Sequence, residues 1–139
     1  MAALNIKLDK YTSAPSKGHS EDAGLDIRAA EDVVIPAHGF SLVHTGVHVE
    51  IPESCVGLLT SKSGLMQKGI TSTGTIDCGY TGEIMAVLFN HSDEDFYVEF
   101  GDKITQLVVI RLYGYSAICL DVVETETDRG DKGFGSTGK

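Results

Sequence analysis

Near the end of the 139-residue chain, Gly133, Gly135 and Gly138 fit the spacing G-x-G-x-x-G, and the same span closed by Lys139 fits G-x-x-x-x-G-K. Both spacings occur in phosphate-binding loops, where glycine lets backbone N–H groups come close to an anion. Each also requires a strand before the glycines and a helix after them. The sequence stops at Lys139, and no serine or threonine follows that lysine to meet a metal ion, so both matches are expected to be coincidental. The chemistry of the segment still suits phosphate: Ser136 and Thr137 carry hydroxyls and Arg129 carries a forked cation. Phe134 has no apolar neighbours to pack with, which suits a ring that stacks on a base. On composition alone, a disordered chain end is the better account of it.

Other residue types stand out singly. Asp77, within GTIDCGY, is ionised at neutral pH and can accept a proton-bearing hydrogen bond, although a turn aspartate is the commoner role for such a local sequence. Gln106 interrupts the apolar run Ile104, Leu107, Val108, Val109 and Ile110, and a polar group there needs a partner. Cys55, Cys78 and Cys119 are widely spaced, without a C-x-x-C pair, which argues against a disulfide framework or a structural zinc site. His44 and His48 are four apart in a strand-like pattern, and His19, His38 and His91 lie in turn-like segments; none reads as a ligand or a catalytic base.

The elements that must carry these residues read as strands. Leu4, Ile6 and Leu8 alternate with polar residues, as do Val47, Val49 and Ile51, and Phe96, Val98 and Phe100. CVGLLT, EIMAVLFN and ITQLVVIRLY read as buried strands, separated by turn signals at 37–39, 91–95 and 101–102. Helical periodicity is limited to one turn at 63–68. This pattern predicts an all-β barrel or double sheet. It forms one domain over residues 1–128, followed by a glycine-rich tail at 129–139 whose order depends on a ligand or partner.

With 42% apolar and 22% charged residues the chain reads as globular. No stretch is long and apolar enough for a membrane span, and no signal-peptide core is present, so a cytoplasmic location is expected, that of a host if the gene is viral or phage. The net charge of −9 disfavours nucleic acid as the main ligand, while leaving a small anion possible through local donors.

Five segments, DAGLDIRAAEDVVIPA, SKSGLMQKGI, GTIDCGYTGE, GDKITQL and RGDKGFGSTG, resemble in order and spacing the motifs of the trimeric dUTPase family, and span the chain from about Asp22 onward. The resemblance implies a β jelly roll (β-clip barrel) that forms a homotrimer, with the tail closing over a neighbouring subunit's active site. It implies hydrolysis of dUTP to dUMP and pyrophosphate with Mg²⁺. That activity keeps uracil out of DNA and supplies dUMP for thymidylate synthesis.

The resemblance also assigns roles. Asp77 matches the acid that activates the water attacking the α-phosphorus. Tyr80 matches the ring under the deoxyribose, which excludes a ribose hydroxyl by shape. The main chain of Gly74, Thr75, Ile76 and Asp77, with Met85, is expected at the uracil edge, leaving no space for a 5-methyl group. Lys62, Ser63 and Gly64 match the phosphate segment, where lysine stands in place of the usual arginine and loses its bidentate fork. Gln106 matches a donor to the α-phosphate, and Asp102 a supporting acid. Asp26 matches the acid that meets the hydration shell of a Mg²⁺ held mainly by the triphosphate. Arg129, Phe134, Gly135, Ser136 and Thr137 match the lid, with Arg129 on phosphates and Phe134 over uracil. Arg28 is expected to pair with Asp26 or Asp102. Residues 65–76 read as a short loop, and Thr71 to Thr73 offer no asparagine for uracil. A dCTP deaminase of the same fold is the competing enzyme, but it lacks such a tail. A phage-type dUTPase with an added regulatory role is the competitor from another class.

Overall fold

The computed structural model describes residues 3–121, 127 and 130. Ten strands and one helical turn follow in order: β1 (Asn5–Leu8), β2 (Leu25–Arg28), β3 (Val33–Ile35), β4 (Phe40–Val43), β5 (Val47–Glu50), β6 (Cys55–Thr60), α1 (Ser63–Met66), β7 (Ile70–Asp77), β8 (Ala86–Asn90), β9 (Phe96–Val98) and β10 (Lys103–Arg111). All pairings between strands are antiparallel. Six strands form one sheet in the order β2-β10-β6-β7-β8-β4, and β1-β5 and β3-β9 form two-stranded ribbons. The all-β expectation holds, and the single helical turn falls where 63–68 predicts it.

Each ribbon covers one half of the large sheet. Val47, Val49 and Ile51, with Ile6 packed beside them, close against Ile27, Leu59, Ile76 and Leu107. Ile35 and Val98, flanked by Val33 and Phe96, close against Val43, Ile70, Ala86, Leu88 and Ile104. Period-two alternation makes this possible, because one face of every strand can be apolar while the other meets water. Each fully buried isoleucine, leucine or valine contributes about 1.5–3 kcal/mol, so the two clusters hold the ribbons to the sheet without disulfides. Cys55, Cys78 and Cys119 are all free thiols.

Two expectations are corrected. Residues 70–77 do not belong to a loop: they form β7, paired on one side with β6 and on the other with β8. Its inward positions are Ile70, Ser72, Gly74 and Ile76, and only two of them carry the apolar side chains that mark a strand. Ser72 is satisfied instead by polar partners: its hydroxyl lies 2.7 Å from Thr105 Oγ1, and its N–H donates to Ser61 Oγ at 2.8 Å. The run EIMAVLFN, in turn, becomes strand only from Ala86, because Glu83 turns its side chain toward another part of the fold.

Beyond β10 the chain has no strand or helix up to Asp121, and Leu112, Tyr113, Tyr115, Ile118 and Leu120 stand exposed. Among the described residues no helix is long and apolar enough to cross a membrane.

Candidate active site

The β7–β8 hairpin builds the first part of the site. Asp77 ends β7 opposite Val56, and its backbone carbonyl accepts the N–H of Tyr80 at 3.2 Å, turning the chain. Gly79, at φ +87°, completes that turn in a conformation that side chains disfavour. The Tyr80 hydroxyl then donates to the Glu83 carbonyl at 2.9 Å, laying the ring back over the loop. A Cβ at Gly82 would collide with that ring, approaching its Cε2 to 2.9 Å, so glycine there is what allows the ring to lie down.

The result is a cavity of about 230 Å³ lined by Thr75, Ile76, Asp77, Tyr80, Glu83 and Met85. Five of these six carry expectations drawn from the sequence. Gly74 sits just behind, facing Leu59 of β6, where an added Cβ would lie 3.1 Å from Leu59 Cδ1. Close strand packing therefore accounts for this glycine by itself. The Asp77 side chain is exposed and has no hydrogen bond among the described residues, which leaves both oxygens free to hold a water.

A second constellation lies at the other end of the same strands. Lys62 precedes α1 in an extended conformation, and its carbonyl accepts the N–H groups of Leu65 and Met66 at 3.0 and 2.9 Å. Ser63 and Gly64 open the helical turn, so their own N–H groups lack an intrahelical acceptor. Gly64 has open space where a Cβ would stand. Gln106 on β10 lies opposite Thr60 and Asp26, and its amide donates to the Ser61 carbonyl at 3.2 Å. That contact answers the need for a partner in the apolar run and orients the side chain.

Asp26 is the buried charge of this cluster, 8% exposed. One oxygen pairs with Lys62 Nζ and the other with Lys103 Nζ at 2.8 Å. Burial pushes its carboxyl upward, but the hydrogen bonds and charges of Lys103 and Lys62 outweigh it and hold the group below its ordinary value. Lys62 is thus a structural ion-pair partner rather than a solvated surface lysine. The expected Arg28 pairing is not found: Arg28 donates to the Gly101 carbonyl at 2.7 Å, and Asp26 takes two lysines instead. Asp102 accepts the Glu99 N–H at 2.9 Å and closes the turn before β10, a supporting role of local kind.

Among the described residues no group of three histidines, cysteines or acids could cage a metal ion. An ionised Asp26 already flanked by two ammonium groups is poorly suited to bind Mg²⁺ directly, yet keeps lone pairs for the water shell of a hydrated ion. That fits an ion brought in by a triphosphate. Two of the histidines face acids: His44 Nδ1 lies 2.9 Å from Glu83 and His48 Nε2 3.1 Å from Asp9. Arg129, Phe134, Gly135, Ser136 and Thr137 lie outside the described residues.

Lys103 and Glu83 were not singled out from the sequence. Both sit inside motifs that were, GDKITQL and GTIDCGYTGE, but only the fold reveals what they touch. The two constellations are also apart: Thr60 pairs with Thr73 and Gln106, whereas Val56 pairs with Asp77. Four residues of strand separate them by roughly 13 Å.

The family model for dUTPase matches residues 10–138. The chain belongs to the dUTPase family. A deoxyuridine 5'-triphosphate nucleotidohydrolase of Eremothecium gossypii is 45% identical over 90% of this chain and 83% of its own length. One from Candida glabrata is 41% identical over 98% of this chain and 96% of its own. Among solved structures, the Staphylococcus bacteriophage 80alpha dUTPase with dUpNHpp matches with a TM-score of 0.91 at 31% identity, covering 100% of each chain. A dUTPase from phage phi11 of S. aureus, described with a structural Mg(II) ion, matches with a TM-score of 0.80 at 28% identity over 89% of this chain and 100% of its own.

Proposed function

We propose that the protein hydrolyses dUTP to dUMP and pyrophosphate in a site shared between copies of the chain. The observation that carries this reading is the 230 Å³ cavity, in which Thr75, Ile76, Asp77, Tyr80 and Met85 meet. The backbone of Gly74 to Asp77 lies along a strand and so offers alternating donors and acceptors to a uracil edge. The Tyr80 ring, anchored through its hydroxyl, forms a flat wall for deoxyribose that a 2′-hydroxyl would strike. The Asp77 carboxylate holds a water and takes its proton as the water attacks the α-phosphorus, with pyrophosphate leaving on the opposite side.

Lys62, Ser63, Gly64 and Gln106 supply donors to the phosphates, and Asp26 orients the hydration shell of the accompanying ion. Mg²⁺, when bound to the triphosphate, neutralises charge on the phosphate oxygens and on the leaving pyrophosphate. Arg129, Phe134, Gly135, Ser136 and Thr137 form the lid that excludes water once nucleotide is bound.

Assembly of more than one copy follows from distance, and a homotrimer satisfies it. Groups that serve one phosphate through hydrogen bonds stand within a few ångströms of it. Asp77 and Ser63 of one chain are too far apart for that, so a second copy brings its Ser63 segment to the first copy's hairpin. The exposed arm bearing Leu112, Tyr113, Tyr115, Ile118 and Leu120 supports the same reading, since apolar surface of that extent calls for a protein partner.

The test is a nucleotide panel with Mg²⁺. Pyrophosphate is expected rapidly from dUTP and weakly from dTTP, dCTP and UTP. Ammonia released from dCTP would instead identify a deaminase, and equal rates on all four nucleotides would refute the base and sugar selectivity.

A further inference from the structure

The β7–β8 hairpin that carries Asp77, Tyr80 and Met85 is anchored in the core by Ile76 and Ile84, and between them its loop is held by a residue to which the hydrolytic reading gives no role. Glu83 Oε1 accepts the N–H groups of Thr45 at 2.9 Å and Gly46 at 2.7 Å. Its Oε2 lies 2.9 Å from His44 Nδ1. Around it, the Thr45 hydroxyl donates to the Ile84 carbonyl, and the Ile84 N–H donates to the Val47 carbonyl at 2.8 Å. His48 Nδ1 meets the Thr81 carbonyl at 2.9 Å. Residues 81, 83 and 84 are thus each tied to the 44–48 segment. On the opposite side of the same residue, the Glu83 carbonyl receives the Tyr80 hydroxyl.

Charge-assisted bonds from a carboxylate to two amides in one turn are directional and strong, and Thr45 is fully buried, so no water can replace the acceptor. Burial raises the Glu83 carboxyl, but the Gly46 amide, His44 and the Thr45 amide outweigh it and hold the group ionised. A shift of the Glu83 backbone moves the Tyr80 ring with it, because ring and backbone are joined by that one hydrogen bond.

We propose that Glu83 is a positioning residue for substrate selection: its carboxylate pins the β7–β8 hairpin to the turn between β4 and β5 and so fixes how deep Tyr80 and Met85 leave the base and sugar cavity. The inference rests on the dUTP reading and deepens it. Glu83 acts through the backbone and ring it holds, and takes no part in proton transfer. A residue that only stabilised the fold would lower the melting temperature and leave substrate ratios unchanged.

The experiment measures kcat and KM for dUTP, dTTP and UTP with the full chain, Mg²⁺, and the variants Glu83→Ala and Glu83→Gln. Glu83→Ala is expected to raise KM for dUTP at least tenfold and to lower the dUTP/dTTP and dUTP/UTP ratios of kcat/KM at least tenfold. Glu83→Gln keeps Oε1 as acceptor for both amides, so its ratios are expected within threefold of the parent. Should Glu83→Ala fail to fold, Glu83→Gln combined with His44→Ala removes the imidazole brace and is expected to lower both ratios at least threefold. Unchanged ratios in a folded variant with a lowered melting temperature would overturn the proposal, as would a Glu83→Gln as damaging as Glu83→Ala. A parent protein that releases no pyrophosphate from dUTP overturns the hydrolytic reading as well. An active parent with unchanged variant ratios overturns the positioning role alone.

Discussion

Replacing Asp77 by asparagine keeps the size and shape of the side chain and removes its ability to take a proton. Asp77 is exposed at the end of β7, and the only contact it makes with the turn is through its backbone carbonyl, which accepts the Tyr80 N–H at 3.2 Å. The substitution therefore breaks no bond that holds the hairpin, and the stability change stays within about 0.5 kcal/mol, or about 2 °C in melting temperature. The catalytic loss is of another order. Proton transfer by a positioned base contributes about 100- to 10,000-fold, a barrier increase of roughly 3–5 kcal/mol. Pyrophosphate release at saturating dUTP should fall by that factor. Affinity for a non-hydrolysable imido analogue, measured by calorimetry, should change less than about threefold, because an amide oxygen still meets the nucleotide. A variant that keeps more than a tenth of the parental kcat would refute the assignment of the base. A variant that loses activity together with several degrees of melting temperature would refute the claim that Asp77 does chemistry without structural duty.

Removing residues 129–139 should collapse dUTP turnover while the assembly keeps its size in light scattering; normal turnover by the truncated protein would exclude the lid. Gly82→Ala drives a methyl into the Tyr80 ring, so the hydroxyl should lose its bond to the Glu83 carbonyl, and the preference for dUTP over UTP should fall about tenfold in kcat/KM with little change in melting temperature. Stability should also follow pH in a defined way. Glu83 and Asp26 have lowered carboxyl values, so their contribution is complete above the ordinary 4.5 and 3.8 and is lost as pH falls below them. His44 is raised, first by its bond to Glu83, and His48, first by the Thr81 carbonyl, so their contribution is complete below the ordinary 6.5 and fades as pH rises past it. Melting temperatures should therefore be highest between about pH 4.5 and 6.5, and a maximum above pH 8 would contradict these pairings.

Much of the molecule was legible in the linear sequence because its signals are local. Alternation at Val47, Val49 and Ile51 and the run CVGLLT announce strands wherever they occur, since a pleated strand buries every second side chain. The motif around Asp77 and Tyr80 likewise shows itself in adjacent residues, and the fold brings those residues to one cavity. β7 was not legible, because its inward positions include Ser72 and Gly74, whose fitness depends on Ser61, Thr105 and Leu59 across neighbouring strands. The partner of Asp26 could not be read either. Three cations stand in or near its motifs, and only strand register decides that Lys62 and Lys103 reach it while Arg28 turns to the Gly101 carbonyl. Glu83 is the sharpest case: the amides that donate to it lie 37 and 38 residues away, and no local pattern links them. Local pattern alone shows which groups are present and most of the strands, β7 excepted. Tertiary structure alone decided which charges are buried together and that Asp77 and the Lys62–Gly64 turn sit at opposite ends of β6 and β7, because burial and register are properties of paired strands and not of any one of them.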